Sequence, residues 1–135
     1  MILGIGTDIA DIGRIAKTIG EQGERFLERC FAPEERAYVE GKYGDDPALR
    51  AAGYAKRWAA KEACAKALGL GIRDGIFLKD IVILNDSAGK PALDLRGGAK
   101  DRLTRLAPGG MTVTAHVSLS DEPPMALAFV MIVAG

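Results

Sequence analysis

The segment RWAAKEACAKALGLG, residues 57–71, limits the possible folds more than any other stretch of this chain. Alanine, leucine, lysine and glutamate favour a helix, and Gly69 and Gly71 supply a stop. A surface helix sorts its charges to one side. This one does not. At about 100° per residue, Glu62 falls among Trp58, Ala59, Ala65 and Gly69, while Arg57 and Lys61 point roughly the other way between small apolar residues. A narrow, alanine-lined helix without a polar side is packed closely on several sides, so its charges need a specific reason to be there.

A chain of 135 residues suits one domain with one core, here residues 1–135. Aromatic residues are only 6%, so the core must be built from Ala, Ile, Leu and Val. The opening MILGIGTDIADIGR has no basic leader and meets Asp8 too early for a secretory segment. The longest apolar run, MALAFVMIVAG, is half of what a membrane span needs and reads as a buried strand. Cys30 and Cys64 have neither redox nor metal spacing, which predicts reduced core thiols in a cytoplasmic protein and argues against zinc. Lys+Arg and Asp+Glu balance at 18 each, so overall charge points to neither nucleic acid nor a membrane. Basic residues do recur in the first third, at Arg14, Lys17, Arg25, Arg29 and Arg36, offset in part by Glu21, Glu24 and Glu28.

Alternation over residues 1–8 predicts a strand with Ile2, Gly4, Gly6 and Asp8 on one face. Glycines there mark the close approach of another backbone or a ligand, just before a carboxylate. Helical spacing follows from Asp8 to Ile19 through Ile12, Ile15 and Ala16, then in GERFLERCF and in APEERAYVEG behind Pro33. KYGDDPALR (42–50) reads as a loop, the alanine helix as 50–68, and GLGIRDGIF as a glycine-rich connection. DIVILND and SAGKPALDLR form a hairpin, GGAKDRLTRLA a short helix, and MTVTAHVSLSD and MALAFVMIV two strands joined at EPP. The order predicts an α+β domain with a largely antiparallel sheet packed against helices. In the first of the closing strands Val113, Ala115, Val117 and Leu119 face one way. Thr112, Thr114, His116, Ser118 and Ser120 face the other, a solvent side or a polar wall carrying the only imidazole.

Asp8 and Glu62 are the carboxylates that need explaining. Asp8 as a helix cap and Glu62–Lys66 as an exposed pair are the plain readings. A buried carboxylate instead needs a partner or a metal, and Mg²⁺ is usually held by one or two carboxylates plus substrate phosphates. Arg57, Lys61, Lys66 and Lys90 could neutralise the remaining phosphate charge. GIGTDI lacks both the third glycine of a dinucleotide fingerprint and the lysine of a P-loop.

ILGIGTDIADIGRI, FLERCFAPEE, RWAAKEACAKALG, DIVILNDSAGKPALDL and HVSLSDEPPMALAFVMI, in this order, resemble the holo-[acyl-carrier-protein] synthases, a phosphopantetheinyl transferase family. The resemblance covers nearly the whole chain. It implies transfer of 4′-phosphopantetheine from coenzyme A to a serine of apo acyl carrier protein in fatty-acid synthesis, with release of adenosine 3′,5′-bisphosphate. It also implies a homotrimer with a site at each protomer interface. On the matching positions, Asp8 and Glu62 would be Mg²⁺ ligands, and Glu62, Lys66 and His116 catalytic. Arg57, Lys61, Gly89, Lys90 and Pro91 would bind the coenzyme, and Arg14 and Lys17 the acidic carrier. The serine proton would go to Glu62 or to a metal-bound water. Asp121 stands where the family often has a second histidine. Two other classes compete: a non-catalytic coenzyme-binding module, which would not need both carboxylates, and a structural trimeric domain, which would need neither the helix charges nor the polar strand face.

Overall fold

A computed structural model describes residues 1–69, 71 and 76–135. The connection expected at GLGIRDGIF therefore lies largely outside the described residues. The elements are β1 (Ile2–Asp11), α1 (Ile12–Gln22), α2 (Glu24–Cys30), α3 (Pro33–Tyr43), α4 (Pro47–Ala67), β2 (Ile81–Asn85), β3 (Pro91–Leu95), α5 (Gly97–Leu106), β4 (Val113–Glu122) and β5 (Met125–Ala134), with one 3₁₀ turn at Leu78–Asp80. This is the α+β class expected. All pairing is antiparallel, but it divides into a three-stranded sheet, β1-β5-β4, and a separate hairpin, β2-β3.

The alanine helix is the axis of the fold. Of its 21 residues 13 are buried; its first turn, residues 47–49, is exposed, and beyond that turn Trp58, Glu62 and Lys66 form a partly open ridge. The glycines of β1 explain how a helix can lie so close to a sheet. A Cβ on Gly4 would stand 2.1 Å from the Ala67 carbonyl oxygen, and one on Gly6 2.0 Å from that of Ala63. Backbone thus rests on backbone. Gly4 and Gly6 step back along α4 by one helical turn, from Ala67 to Ala63, and the next step places Asp8 against the turn 59–63 that carries Glu62.

Ala126, Ala128, Val130, Ile132 and Ala134 of β5 complete the buried inner face of the sheet. Among the described residues no helix covers the outer face. It carries Ile5 and Ile9 on β1 beside Met125, Leu127 and Phe129 on β5, all exposed, flanked by the Thr, Ser and His side of β4.

Three boundaries differ from the sequence reading. β1 continues to Asp11 because Ile9, Ala10 and Asp11 pair with Leu127, Ala126 and Met125. It is Asp11 that caps α1, accepting from Arg14 N at 3.2 Å, so the capping reading of Asp8 is overturned. α4 begins at Pro47 rather than near 50, since Asp46 accepts from Ala48 N at 3.1 Å and Leu49 N at 3.2 Å. Only residues 44–46 remain as a loop. An irregularity between Ile2 and Gly4 also takes Ile2 off the glycine face and pairs it with Val133. Ala16, expected on the apolar stripe of α1, is exposed, while Ile15 is buried.

Candidate active site

Asp8 projects from the middle of β1 toward the open ridge of α4. Lys66 Nζ lies 3.1 Å from Asp8 Oδ1 and donates to the Thr7 carbonyl at 3.0 Å. Burial raises the proton affinity of Glu62, the neighbouring charge of Asp8 raises it further, and Lys66 offsets this in part. Asp8 and Glu62 are thus close enough for each to act on the other's charge, and among the described residues Lys66 is the ammonium paired with Asp8 beside them. That leaves net negative charge and unused oxygen lone pairs, a donor set that suits a hard divalent cation. Among the described residues no three His, Cys, Asp or Glu side chains cluster, so such an ion would take its remaining ligands from substrate and water.

A second polar region lies well around α4 from Glu62, where Arg57 projects. Tyr38, Lys42, Tyr43, Lys56, Arg57, Asn85, Gly89, Pro91 and Leu119 line a cleft of about 180 Å³. Arg57 is buried, which pulls its guanidinium below its usual value. It donates to Asn85 Oδ1 and, at 3.2 Å, to the Gly53 carbonyl, and it lies 4.8 Å over the Tyr38 ring. Its Nε has no partner among the described residues. Asn85 Nδ2 donates to the Gly89 carbonyl at 3.1 Å, so one side chain ties Arg57 to the hairpin turn. That turn closes on Asp86, whose carboxylate accepts from Ala88 N and Lys90 N at 2.9 Å each, with Gly89 at φ 87°, open to glycine without strain. Lys90 itself is exposed at the turn.

Lys61 is corrected. Its ammonium is fully buried and donates to Glu35 Oε1 at 2.6 Å, the Leu78 carbonyl at 2.9 Å and the Ile81 carbonyl at 2.5 Å. All three N–H donors are used, so none is available to a coenzyme phosphate. Glu35 accepts in addition from Ala32 N at 3.0 Å and Ile83 N at 3.1 Å. The pair fastens α3, α4 and β2 together.

His116 is exposed on the outer face of β4, with Nε2 3.3 Å from Thr114 Oγ1. It pairs across β5 with Met131, which pairs with Ile5. Within one chain it is thus two strands away from β1 and on the face opposite Asp8. Arg14 and Lys17 are exposed on α1, Lys17 at 3.9 Å from Glu21. Arg14 also borders a hollow of about 270 Å³ that reaches Arg29 and Trp58, one turn from Glu62. Sequence reasoning missed Lys42, Lys56 and Asn85. Of these only Asn85 had a signal, an amide at a strand end before the turn D-S-A-G-K.

The model of the 4′-phosphopantetheinyl transferase superfamily matches residues 4–127, and the chain belongs to that superfamily. The relatives it resembles over its whole length are holo-[acyl-carrier-protein] synthases. Those of Methylobacterium radiotolerans and Rhodopseudomonas palustris (strain BisB5) are 52% and 53% identical over 132 residues, covering 98% of this chain and 93% and 94% of theirs. The crystal structure of the Neisseria meningitidis synthase superposes with a TM-score of 0.77 at 38% identity, over 98% of this chain and 99% of that one. The Helicobacter pylori synthase in complex with coenzyme A gives 0.77 at 29%, over 96% and 99%.

Proposed function

We propose that this chain transfers 4′-phosphopantetheine from coenzyme A to a serine of an apo acyl carrier protein, as an Mg²⁺-dependent step of fatty-acid biosynthesis. The observation that carries the proposal is the convergence of Asp8 of β1 with Glu62 and Lys66 on the partly open ridge of α4.

In this reading the serine oxygen forms a bond to the β-phosphorus of coenzyme A. The bond to the leaving phosphate breaks, and adenosine 3′,5′-bisphosphate departs with the electron pair. Phosphoryl transfer needs mainly positioning and charge neutralisation. Asp8 and Glu62 would hold the Mg²⁺, which supplies positive charge against the pyrophosphate. Lys66 swings its ammonium between Asp8 and the charge that develops as the bond breaks. The serine proton goes to Glu62 or to a water held in the site. Arg57, Gly89 and Pro91, with Lys90 at the turn, hold the nucleotide end, and Arg14 and Lys17 meet the acidic carrier.

The chain works as a homotrimer in the same reading. Asp8 and Glu62 lie on one side of α4, while Arg57 and His116 lie elsewhere on the chain, so the halves meet only if one copy faces the next. The bare apolar face of β1 and β5 is the surface such copies would bury. Among the described residues no helix is long and apolar enough to cross a membrane, and both cysteines are free and buried, in keeping with a cytoplasmic enzyme.

The test is direct. Incubation with coenzyme A, MgCl₂ and an apo acyl carrier protein should add one phosphopantetheine to the carrier, read by mass spectrometry, with adenosine 3′,5′-bisphosphate released. An unmodified carrier after hours with the wild-type protein would overturn the assignment.

A further inference from the structure

Thr114 and His116 stand two residues apart on β4, so both side chains project from the outer face of the sheet, and both are exposed. Across the pairing with β5 their neighbours are apolar: Thr114 sits opposite Val133 and His116 opposite Met131. Ser118, the next residue on that face, lies opposite Phe129. The imidazole nevertheless has a polar partner, since its Nε2 is 3.3 Å from Thr114 Oγ1. Among the described residues this is the only hydrogen bond that either side chain makes.

A ring on an open face is free to turn unless something holds it. A β-branched threonine is stiff at χ1 and offers its hydroxyl from a nearly fixed place. An imidazole nitrogen is a better acceptor than a hydroxyl oxygen, and among the described residues Thr114 has no other acceptor for its proton. The hydroxyl therefore donates to Nε2. In a neutral ring one nitrogen accepts while the other carries the proton, and the bond made at one fixes the state of the other. Nδ1 is left as the free donor. On protonation Nε2 gains a hydrogen that Oγ1 can turn to accept, so Nδ1–H stays free in either state.

We propose that Thr114 is the positioning residue of His116, selecting the Nδ1–H form and presenting that N–H to a phosphate oxygen held at Asp8 and Glu62 of a neighbouring copy. This rests on the transfer from coenzyme A proposed above. A polyphosphate offers acceptors only, so a neutral histidine helps it solely through an N–H.

The chain has one histidine, so a two-bond proton–nitrogen correlation spectrum of protein labelled at histidine reports that ring alone. At alkaline pH, where an imidazole is neutral, the wild type should show the Nδ1–H pattern. Thr114→Val, nearly isosteric and at home in a strand, should shift it to the Nε2–H form usual for a free imidazole. The same variant should lower kcat for transfer about tenfold, the order of one lost hydrogen bond, with the KM for coenzyme A and for the carrier changed less than about twofold. Thr114→Ser, which keeps the hydroxyl, should restore the Nδ1–H form and most of the rate. In the His116→Ala background Thr114→Val should remove nothing further, because it acts through that ring.

An Nε2–H wild type, an unchanged kcat or tautomer in Thr114→Val, a loss that persists in Thr114→Ser, or a loss that adds to His116→Ala would overturn the proposal alone, with wild-type transfer intact. A wild type that modifies no carrier would remove the proposed function and this inference with it. Circular dichroism and light scattering report whether each variant is folded and assembled like the wild type. If Thr114→Val is not, the wild-type spectrum and Thr114→Ala carry the test.

Discussion

Gly6 and Ala63 are in backbone contact: a Cβ added to Gly6 would stand 2.0 Å from the Ala63 carbonyl oxygen. The obstacle is main chain in the middle of a helix, so it cannot rotate away. Gly6→Ala must push β1 off α4 and should cost about 3 kcal/mol, the upper end of overpacking costs. It should also separate Asp8 from Glu62, so that activity falls more than stability accounts for. Gly20→Ala, in α1 with nothing within 4 Å, is the control and should gain roughly 0.5 kcal/mol. Urea unfolding of the two variants checks the difference.

Lys61 and Glu35 predict a stability phenotype where the sequence suggested a binding one. Lys61→Met leaves Glu35 buried without its counter-ion and should cost about 3–5 kcal/mol. The fraction still folded should bind adenosine 3′,5′-bisphosphate with the wild-type Kd. A stable variant with weakened binding would return Lys61 to the coenzyme site.

These two pairs mark how far the sequence could be read. The glycine face of β1 and the two-residue alternation of β4 are local patterns, and the structure follows them. MALAFVMIV, read as a buried strand, is buried on one face only, with Met125, Leu127 and Phe129 exposed on the other. The crowding of the alanine helix was legible from its lack of a polar side. Its four charges could not be sorted, because Arg57, Lys61, Glu62 and Lys66 sit in the same alanine background. Which is buried, which bonded and which open depends on Glu35, Ile81, Asn85 and Asp8, all distant in sequence. Asp8 and Asp11 are likewise equal as cap candidates until pairing with β5 extends the strand past the first. Asp46-Pro47 was a readable helix start, hidden by its setting in a polar, glycine-containing stretch.

Acid sensitivity should report on Glu40. Arg50 Nε donates to both its oxygens, at 2.8 and 3.0 Å, and holds its carboxyl below the ordinary 4.5, helped by Tyr54 and opposed by burial. A carboxyl depressed in the folded state stabilises above its unfolded value, and the contribution is lost as pH falls through the folded one. The Tm gap between wild type and Glu40→Gln should be open at pH 7 and close toward pH 3. A gap independent of pH would contradict the charge-assisted bond.

Carrier docking can be separated from chemistry at Arg14. It is exposed on α1 beside the hollow that reaches Trp58. Steering between an acidic carrier and this helix acts mainly on encounter and is screened over about 8 Å at physiological salt. Arg14→Glu should raise the KM for the carrier and flatten its salt dependence while leaving the KM for coenzyme A nearly unchanged. Equal carrier kinetics across a salt series would show Arg14 to be merely solvated.

The last prediction joins the two halves of the site. Glu62 and His116 are on opposite faces of the sheet in one chain, so a site using both must draw them from two copies. Glu62→Gln and His116→Ala should each be nearly inert as pure proteins while remaining folded, since one change is close to isosteric and the other lies on an exposed face. Co-refolded in equal amounts, they should regain about one quarter of wild-type activity, because random mixing pairs an intact Glu62 with a neighbour's intact His116 at that frequency. If both residues served a site within one chain, every site would carry one lesion and mixing would restore nothing. Phe129→Glu should abolish the recovery by placing a charge on the apolar face of β5, and light scattering should then report monomers. An active monomer would show instead that one chain completes its own site.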